Sequence, residues 1–109
     1  MYNLVMNLKG SLPALILETL SRGSSHGYEI ATIIKRKSAG VLDFKEGTLY
    51  PALHTLERDG LVQSRTELEN GRTRRYYQLT EKGAKHLEKS KLEWARMSGA
   101  ISSVLGGAA

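Results

Sequence analysis

The dipeptide Asn70-Gly71 stands between two runs, Leu61 to Glu69 and Arg72 to Thr80, that carry β-branched and aromatic residues. A two-residue type I′ connection needs positive φ at both central positions, which Asn and Gly adopt most readily, so this is the strongest hairpin signal in the chain. So tight a turn also sets the register. Counting outward pairs Glu69 with Arg72, Glu67 with Arg74, Arg65 with Tyr76, Ser64 with Tyr77 and Val62 with Leu79. Opposite charges then face each other along the outer ribbon, a pairing that contributes roughly 0.2 to 1 kcal/mol. Arg72, Arg74 and Arg75 either neutralise Glu67 and Glu69 or reach outward to phosphate. Three arginines within four positions, beside Tyr76 and Tyr77, exceed what two carboxylates require, and arginine pairs with phosphate bidentately, which favours the second role.

Upstream of the ribbon the apolar residues repeat at helical spacing. Ser11 followed by Leu12-Pro13 reads as a helix start, since proline is tolerated where the first backbone N–H groups have no partner. Leu12, Leu15, Ile16 and Leu20 continue that helix until Gly23 stops it. Ser24-Ser25 then supplies a cap for a second helix with Tyr28, Ile30, Ala31, Ile33 and Ile34 on its apolar face. It ends in Lys35-Arg36-Lys37, cations that complement the negative helix end and stay either solvated or on phosphate. Val41 to Lys45 is long enough only for a connecting strand.

Pro51 constrains the third helix. A proline deep inside a helix costs about 3 kcal/mol, so the spacing predicts a start near Gly47 or Thr48. Leu49, Ala52, Leu53 and Leu56 line the core side; Tyr50, Pro51, His54 and Arg58 lie opposite, with Thr48 at the tip. Hydroxyl, imidazole and guanidinium groups suit phosphate and base edges, although any outward helix face is polar. Asp59-Gly60 ends the run.

After Thr80, an N-cap followed by Glu81, a long helix over 81–105 is predicted. Leu87, Trp94 and Ile101 recur every seven residues, with Met97, Val104 and Leu105 beside them. Such a stripe needs a cover, either its counterpart in a second chain or the first helix of the same chain. A small helical core has little surface left for it, which favours the second chain. Gly106 to Ala109 reads as a frayed tail.

At 109 residues and 40% hydrophobic content the chain fits one small domain, and a formal charge of +5 favours an acidic partner, nucleic acid above all. The absence of cysteine excludes disulfides and thiolate metal sites. With no apolar run of membrane length and no secretory pattern from Met1 to Gly10, a cytoplasmic protein is expected. His26, His54 and His86 are scattered without metal-ligand spacing, and neither a Gly-rich phosphate loop nor a GxSxG turn occurs. No cofactor, metal or catalytic activity is expected.

Helices, a third helix with an exposed polar face and then a hairpin make the order of a winged helix-turn-helix: mainly α, with a small β-hairpin wing. Specific motifs go further. His26-Gly27-Tyr28-Glu29-Ile30, then Glu46 to Leu53 with Leu56-Glu57 and Gly60-Leu61-Val62, then Arg74 to Thr80 and Gly83 together resemble the PadR family of transcriptional regulators, over roughly Leu8 to Met97. Ser24-Ser25 departs from the Gly-Pro that family often has there; either pair can start a helix. The resemblance implies a winged-helix unit over 1–80, a C-terminal dimerisation helix over 81–105 and a flexible tail over 106–109. It implies a homodimeric repressor on a palindromic operator, with the third helix in the major groove and the wing along the backbone. Tyr28, near the helix-helix junction, Lys45, Gly47, Thr48, Tyr50, Pro51, His54 and Arg58 would then face DNA, together with Arg72, Arg74, Arg75 and Tyr76 of the wing. Leu87, Trp94, Met97, Ile101 and Val104 would form the dimer contact. In some members the cleft beside these helices takes up aromatic molecules, so Trp94 is either a packing residue or a stacking surface for a small aromatic effector. The rival reading is a winged helix that binds protein, as an adaptor without specific DNA binding; it calls for apolar residues where Tyr50, His54 and the wing are polar and basic.

Overall fold

The computed structural model describes residues 2–106, with side chains from Gly10 onward. Along the chain come α1 (Tyr2–Leu20), β1 (Ser25–His26), α2 (Gly27–Lys37), α3 (Glu46–Arg58), β2 (Val62–Glu69), β3 (Arg72–Leu79) and α4 (Glu81–Val104). The strands form one antiparallel sheet in the order β1-β3-β2. Asn70 and Gly71 have φ of 49° and 76°, both positive as a type I′ turn requires. The pairing runs from Glu69 with Arg72 to Val62 with Leu79, the register counted from the turn.

Helical periodicity explains the core. Leu12, Ile16, Leu17 and Leu20 of α1 meet Ile30 and Ile34 of α2 and Leu49, Leu53 and Leu56 of α3. Leu61, Val62 and Tyr77 close this cluster from the base of the ribbon. Burial pushes the Tyr77 hydroxyl above its usual titration range.

Three helix starts differ from the sequence expectation. Helix α1 begins at Tyr2, not Ser11, and runs through Pro13. A proline removes one backbone hydrogen bond and leaves those on either side, so a helix can pass it, usually with a bend. Helix α2 is capped not by Ser24-Ser25 but by His26, whose Nδ1 faces the Glu29 N–H at 3.3 Å. Ser25 is taken up by β1, opposite Tyr77. Helix α3 starts at Glu46, which leaves Pro51 inside it, and the segment before it, expected as a strand, is a loop held by the Leu42 N–H on the Ser38 hydroxyl at 2.9 Å.

The first turn of α4 is pinned to the joint between α3 and β2. Thr80 Oγ1 accepts from the Gly83 N–H at 3.0 Å and donates to the Gly60 carbonyl at 2.7 Å. The Thr80 N–H donates to the Leu61 carbonyl and Lys82 Nζ to the Asp59 carbonyl, at 3.2 and 2.8 Å. Leu87, 4% exposed, lies in the chain's own core. It is thereby withdrawn from the stripe expected to meet a second chain, because α4 does pack on α1. From Lys91 onward every described residue of α4 is exposed, Trp94, Met97, Ile101 and Val104 included. The expected tail at 107–109 lies outside the described residues.

Lys91 Nζ and Glu18 Oε1, 3.0 Å apart, tie α4 to α1. The Lys91 ammonium, with Arg22 at 3.1 Å behind it, holds the Glu18 carboxyl below the usual carboxylate range. A depressed carboxylate pKa stabilises the fold above its unfolded value, and that contribution disappears as pH falls through the folded value. Lys91→Ala should therefore lower stability at neutral pH by about 0.5 kcal/mol, the modest worth of a solvent-accessible pair. Chemical denaturation should show the two proteins converging as pH falls beneath the ordinary glutamate range and the carboxyl is protonated in the folded state as well; a gap that persists in acid would assign the loss to the packing of the lysine stem.

Candidate nucleic-acid interface

Helix α3 turns about 100° per residue, so with Leu49, Leu53 and Leu56 buried the opposite stripe is Gly47, Pro51, His54 and Arg58. All four are exposed, and Thr55, absent from the expected set, is exposed beside them. Thr48 and Tyr50 are half-buried flanks of this stripe. Tyr50 departs most from the outward position expected of it. Its ring lies against Gly27, where a Cβ would come within 2.6 Å of the Tyr50 Cζ and onto its hydroxyl. It therefore packs α3 onto the start of α2, being turned a quarter of the way round the helix from the exposed stripe.

Tyr28, 72% exposed, stands on the first turn of α2. With Tyr50, Phe44, Lys35, Lys45 and Asp43 it borders an open hollow of about 230 Å³ between α2 and α3. Lys45 is the N-cap residue of α3 and projects into solvent. Asp43 Oδ2 holds both lysines, Lys45 at 3.3 Å and Lys35 at 3.6 Å. The bond from Lys45, with Lys35 beside it, keeps the Asp43 carboxyl below the usual carboxylate range. An anion approaching these lysines competes with an ionised carboxylate already in place.

The wing has two unlike faces, because side chains alternate along a strand. Arg72, Arg74 and Tyr76 share the outer face with Arg65, Glu67 and Glu69; Arg75 lies on the other, with Ser64 and the buried Tyr77. The three arginines expected to act together are thus divided. Arg75 Nη1 donates to Ser64 Oγ at 3.0 Å, and that hydroxyl donates to Glu57 Oε2 at 2.6 Å, which ties the ribbon to α3. On the outer face the directly opposed charge pairs give way to diagonal and same-strand ones. Arg74 meets Glu69 at 3.4 Å, and Arg65 meets Glu67 at 2.7 Å. The Tyr76 hydroxyl donates to Glu69 at 2.6 Å, and that carboxylate raises the tyrosine pKa. The Arg65 guanidinium lies 5.4 Å from the centre of the Tyr76 ring. Arg74 also reaches His26 Nε2 at 3.1 Å. The Arg72 guanidinium alone of these makes no ion pair or hydrogen bond with the described residues.

His26 and Asp43 were missed as members of this surface. Asp43, three residues before α3 and between two lysines in sequence space, gave only its charge as a signal; the contact of His26 with Arg74 spans 48 positions and left none. Arg65 over Tyr76 was readable, since the register sets them opposite one another. No group of three or more His, Cys, Asp or Glu among the described residues could hold a metal ion, and none of their helices is long and apolar enough to cross a membrane.

Three helices, a ribbon on the last of them and an exposed polar stripe between define a winged helix-turn-helix protein. Residues 16–89 match the Transcriptional regulator PadR-like family, and the chain belongs to that family. It is 38% identical over 82 residues to the transcriptional regulator YqjI of Escherichia coli, covering 75% of this chain and 38% of that one. A transcriptional regulator from Clostridium thermocellum has a solved structure that superposes with a TM-score of 0.81 at 34% identity, over 86% of this chain and 89% of its own. Bacillus subtilis PadR, solved in complex with operator DNA, superposes with a TM-score of 0.67 at 28% identity, over 72% of this chain and 45% of its own. The chain thus spans less than half the length of the Escherichia coli and Bacillus subtilis proteins.

Proposed function

We propose that this protein is a cytoplasmic, non-catalytic repressor that binds a palindromic operator as a homodimer, with α3 in the major groove and the wing along the phosphate backbone. The observation that carries this reading is the uncovered stripe of α3 beside a wing whose Arg72 has no partner within the described chain. Its polar and basic character fits nucleic acid better than the apolar surface a protein-binding winged helix presents. The kinship with a regulator solved on operator DNA supports the same assignment. The exposed apolar residues of α4 supply the surface for a second copy, and half-sites then lie about one helical turn, roughly 10 base pairs, apart.

The test is selection of bound sequences from random duplex DNA, with the mass in solution recorded at the same protein concentration. A recovered palindrome and a dimer mass would establish the reading. No enrichment, or loss of all binding at moderate salt, would transfer it to a protein partner.

Arg72→Ala should weaken binding to every sequence alike and flatten the dependence of log K on log salt by about one unit, as the loss of one phosphate contact requires. An unchanged slope would remove the wing tip from the interface. Arg74→Ala, by contrast, should lower thermal stability as well, since Glu69 and His26 both hold that side chain. A small aromatic effector stacking on Trp94, 56% exposed on the same face of α4, would act by changing the separation of the two reading heads. Trp94 fluorescence should then be quenched by planar aromatic compounds; no response across a panel would leave the residue a packing role.

A further inference from the structure

His26 stands where three elements meet. It ends β1, caps α2 and lies across the sheet from Tyr76, with its side chain 19% exposed. Nδ1 is 3.3 Å from the backbone nitrogen of Glu29, and Nε2 is 3.1 Å from Nη1 of Arg74. The Tyr76 ring stands edge-on to the imidazole with centroids 5.5 Å apart, and Glu29 Oε1 lies 4.0 Å from Nε2. Both close neighbours, the Glu29 amide and the guanidinium, can only donate a hydrogen. A neutral imidazole carries one N–H and one lone pair, and an imidazolium carries no lone pair. The ring therefore cannot accept from both.

We propose that His26 is a two-position link between the wing and α2, accepting either from Arg74 or from the Glu29 N–H. In the free chain the shorter, charge-assisted contact from Arg74 competes with the Glu29 N–H for the ring's single lone pair; where it prevails the proton sits on Nδ1 and the cap made at 3.3 Å is given up. Phosphate that draws Arg74 away frees Nε2. The ring then takes its other tautomer, with Nδ1 capping α2 and Nε2–H turned toward the Glu29 carboxylate. Glu69, 3.4 Å from Arg74, is the arginine's second partner and belongs to the wing itself. Docking of the wing is in this way coupled to the firmness of the helix on which α3 rests through Gly27 and Tyr50. His26 is a positioning residue; it acts on DNA through Arg74. The DNA-driven half of this inference rests on the function proposed above, whereas the link itself does not.

Imidazole tautomers are read directly from long-range proton–nitrogen NMR correlations at mildly alkaline pH, with the His26 signals identified by their loss in His26→Asn. The free protein should show an unprotonated Nε2. Arg74→Met should move the ring to the Nε2–H form and slow hydrogen exchange at the Glu29 amide, with no DNA present. The same tautomer in the wild type and Arg74→Met would overturn the link. Addition of a selected operator duplex to the wild type should produce the same shift as Arg74→Met. A duplex that binds, by amide shifts elsewhere, yet leaves the tautomer unchanged would overturn the coupling. A duplex that does not bind would sink the DNA reading, while the Arg74→Met comparison decides the link.

Discussion

Gly83→Ala should destabilise the protein by about 3 kcal/mol, at the upper end for overpacking, and lower its thermal midpoint by about 15 °C. Gly83 is the third residue of α4, and a Cβ there would land on the Leu61 carbonyl oxygen, with the Leu61 carbonyl carbon and Leu79 Cδ1 both at 2.9 Å. Two of the three obstacles are backbone, which cannot rotate aside as a side chain could. Nor can the helix back away cheaply, since Thr80 and Lys82 hold its first turn to Gly60, Leu61 and Asp59. The variant has to give up those bonds or shift the start of β2. Thermal unfolding followed by circular dichroism checks this directly. A midpoint within about 2 °C of the wild type, less than 1 kcal/mol on that scale, would mean that the joint yields and the glycine is not required for close approach.

The second large effect is expected at the far end of the same helix. Ile101→Glu places a carboxylate in the middle of the exposed stripe formed with Trp94, Met97 and Val104. Burying that charge against a second copy without a partner is far more costly than leaving it in water, so the proposed dimer should dissociate. Two linked reading heads gain on the order of 100-fold or more in affinity over one, through effective concentration alone, and monomers should lose that advantage on a two-half-site duplex. Light scattering together with fluorescence anisotropy on full and half operators separates the two steps. A variant that stays dimeric would place the contact elsewhere. One that becomes monomeric and still binds the full site unimpaired would show that the heads act singly.

How much of this architecture could be read from sequence depended on whether the signal was local. Asn70-Gly71 carries its own conformational requirement, so the whole register of the ribbon followed from two residues. The apolar spacing of Leu49, Leu53 and Leu56 likewise set which side of α3 is exposed. Strand β1 had no such mark: two residues have no periodicity, and Ser25 and His26 become a strand only because Tyr76 and Tyr77 offer an edge. That pairing moved the cap of α2 from the serines to a histidine. Pro13 misled because proline's preference for the first turn is statistical, and a single missing hydrogen bond does not by itself stop a helix. Leu87 belonged by spacing to the C-terminal stripe, yet spacing cannot tell how far along α4 the body of the chain extends. The division of the wing arginines was available from alternation, since Arg74 and Arg75 are neighbours and must point apart. Their partners were not, because Glu57 and His26 reach the ribbon from other elements.

The fastening of α4 has a mechanical consequence. All of its anchors at the proximal end fall on Asp59, Gly60 and Leu61, the three residues that separate the end of α3 from the start of the wing. At 1.5 Å per residue the 24-residue helix is about 36 Å long, and from Lys91 onward each of its described residues is exposed. Its first turn is thus fastened at the root of the two elements proposed to face DNA, and Leu87 and Lys91 hold it again further along. A tilt of about 5° in the segment beyond Lys91, about 20 Å long, moves its tip by about 1.7 Å, close to half the rise of one base pair. In the proposed dimer the spacing of two such helices and the pitch of the surfaces beside them would vary together, because each helix starts from the joint between α3 and the ribbon.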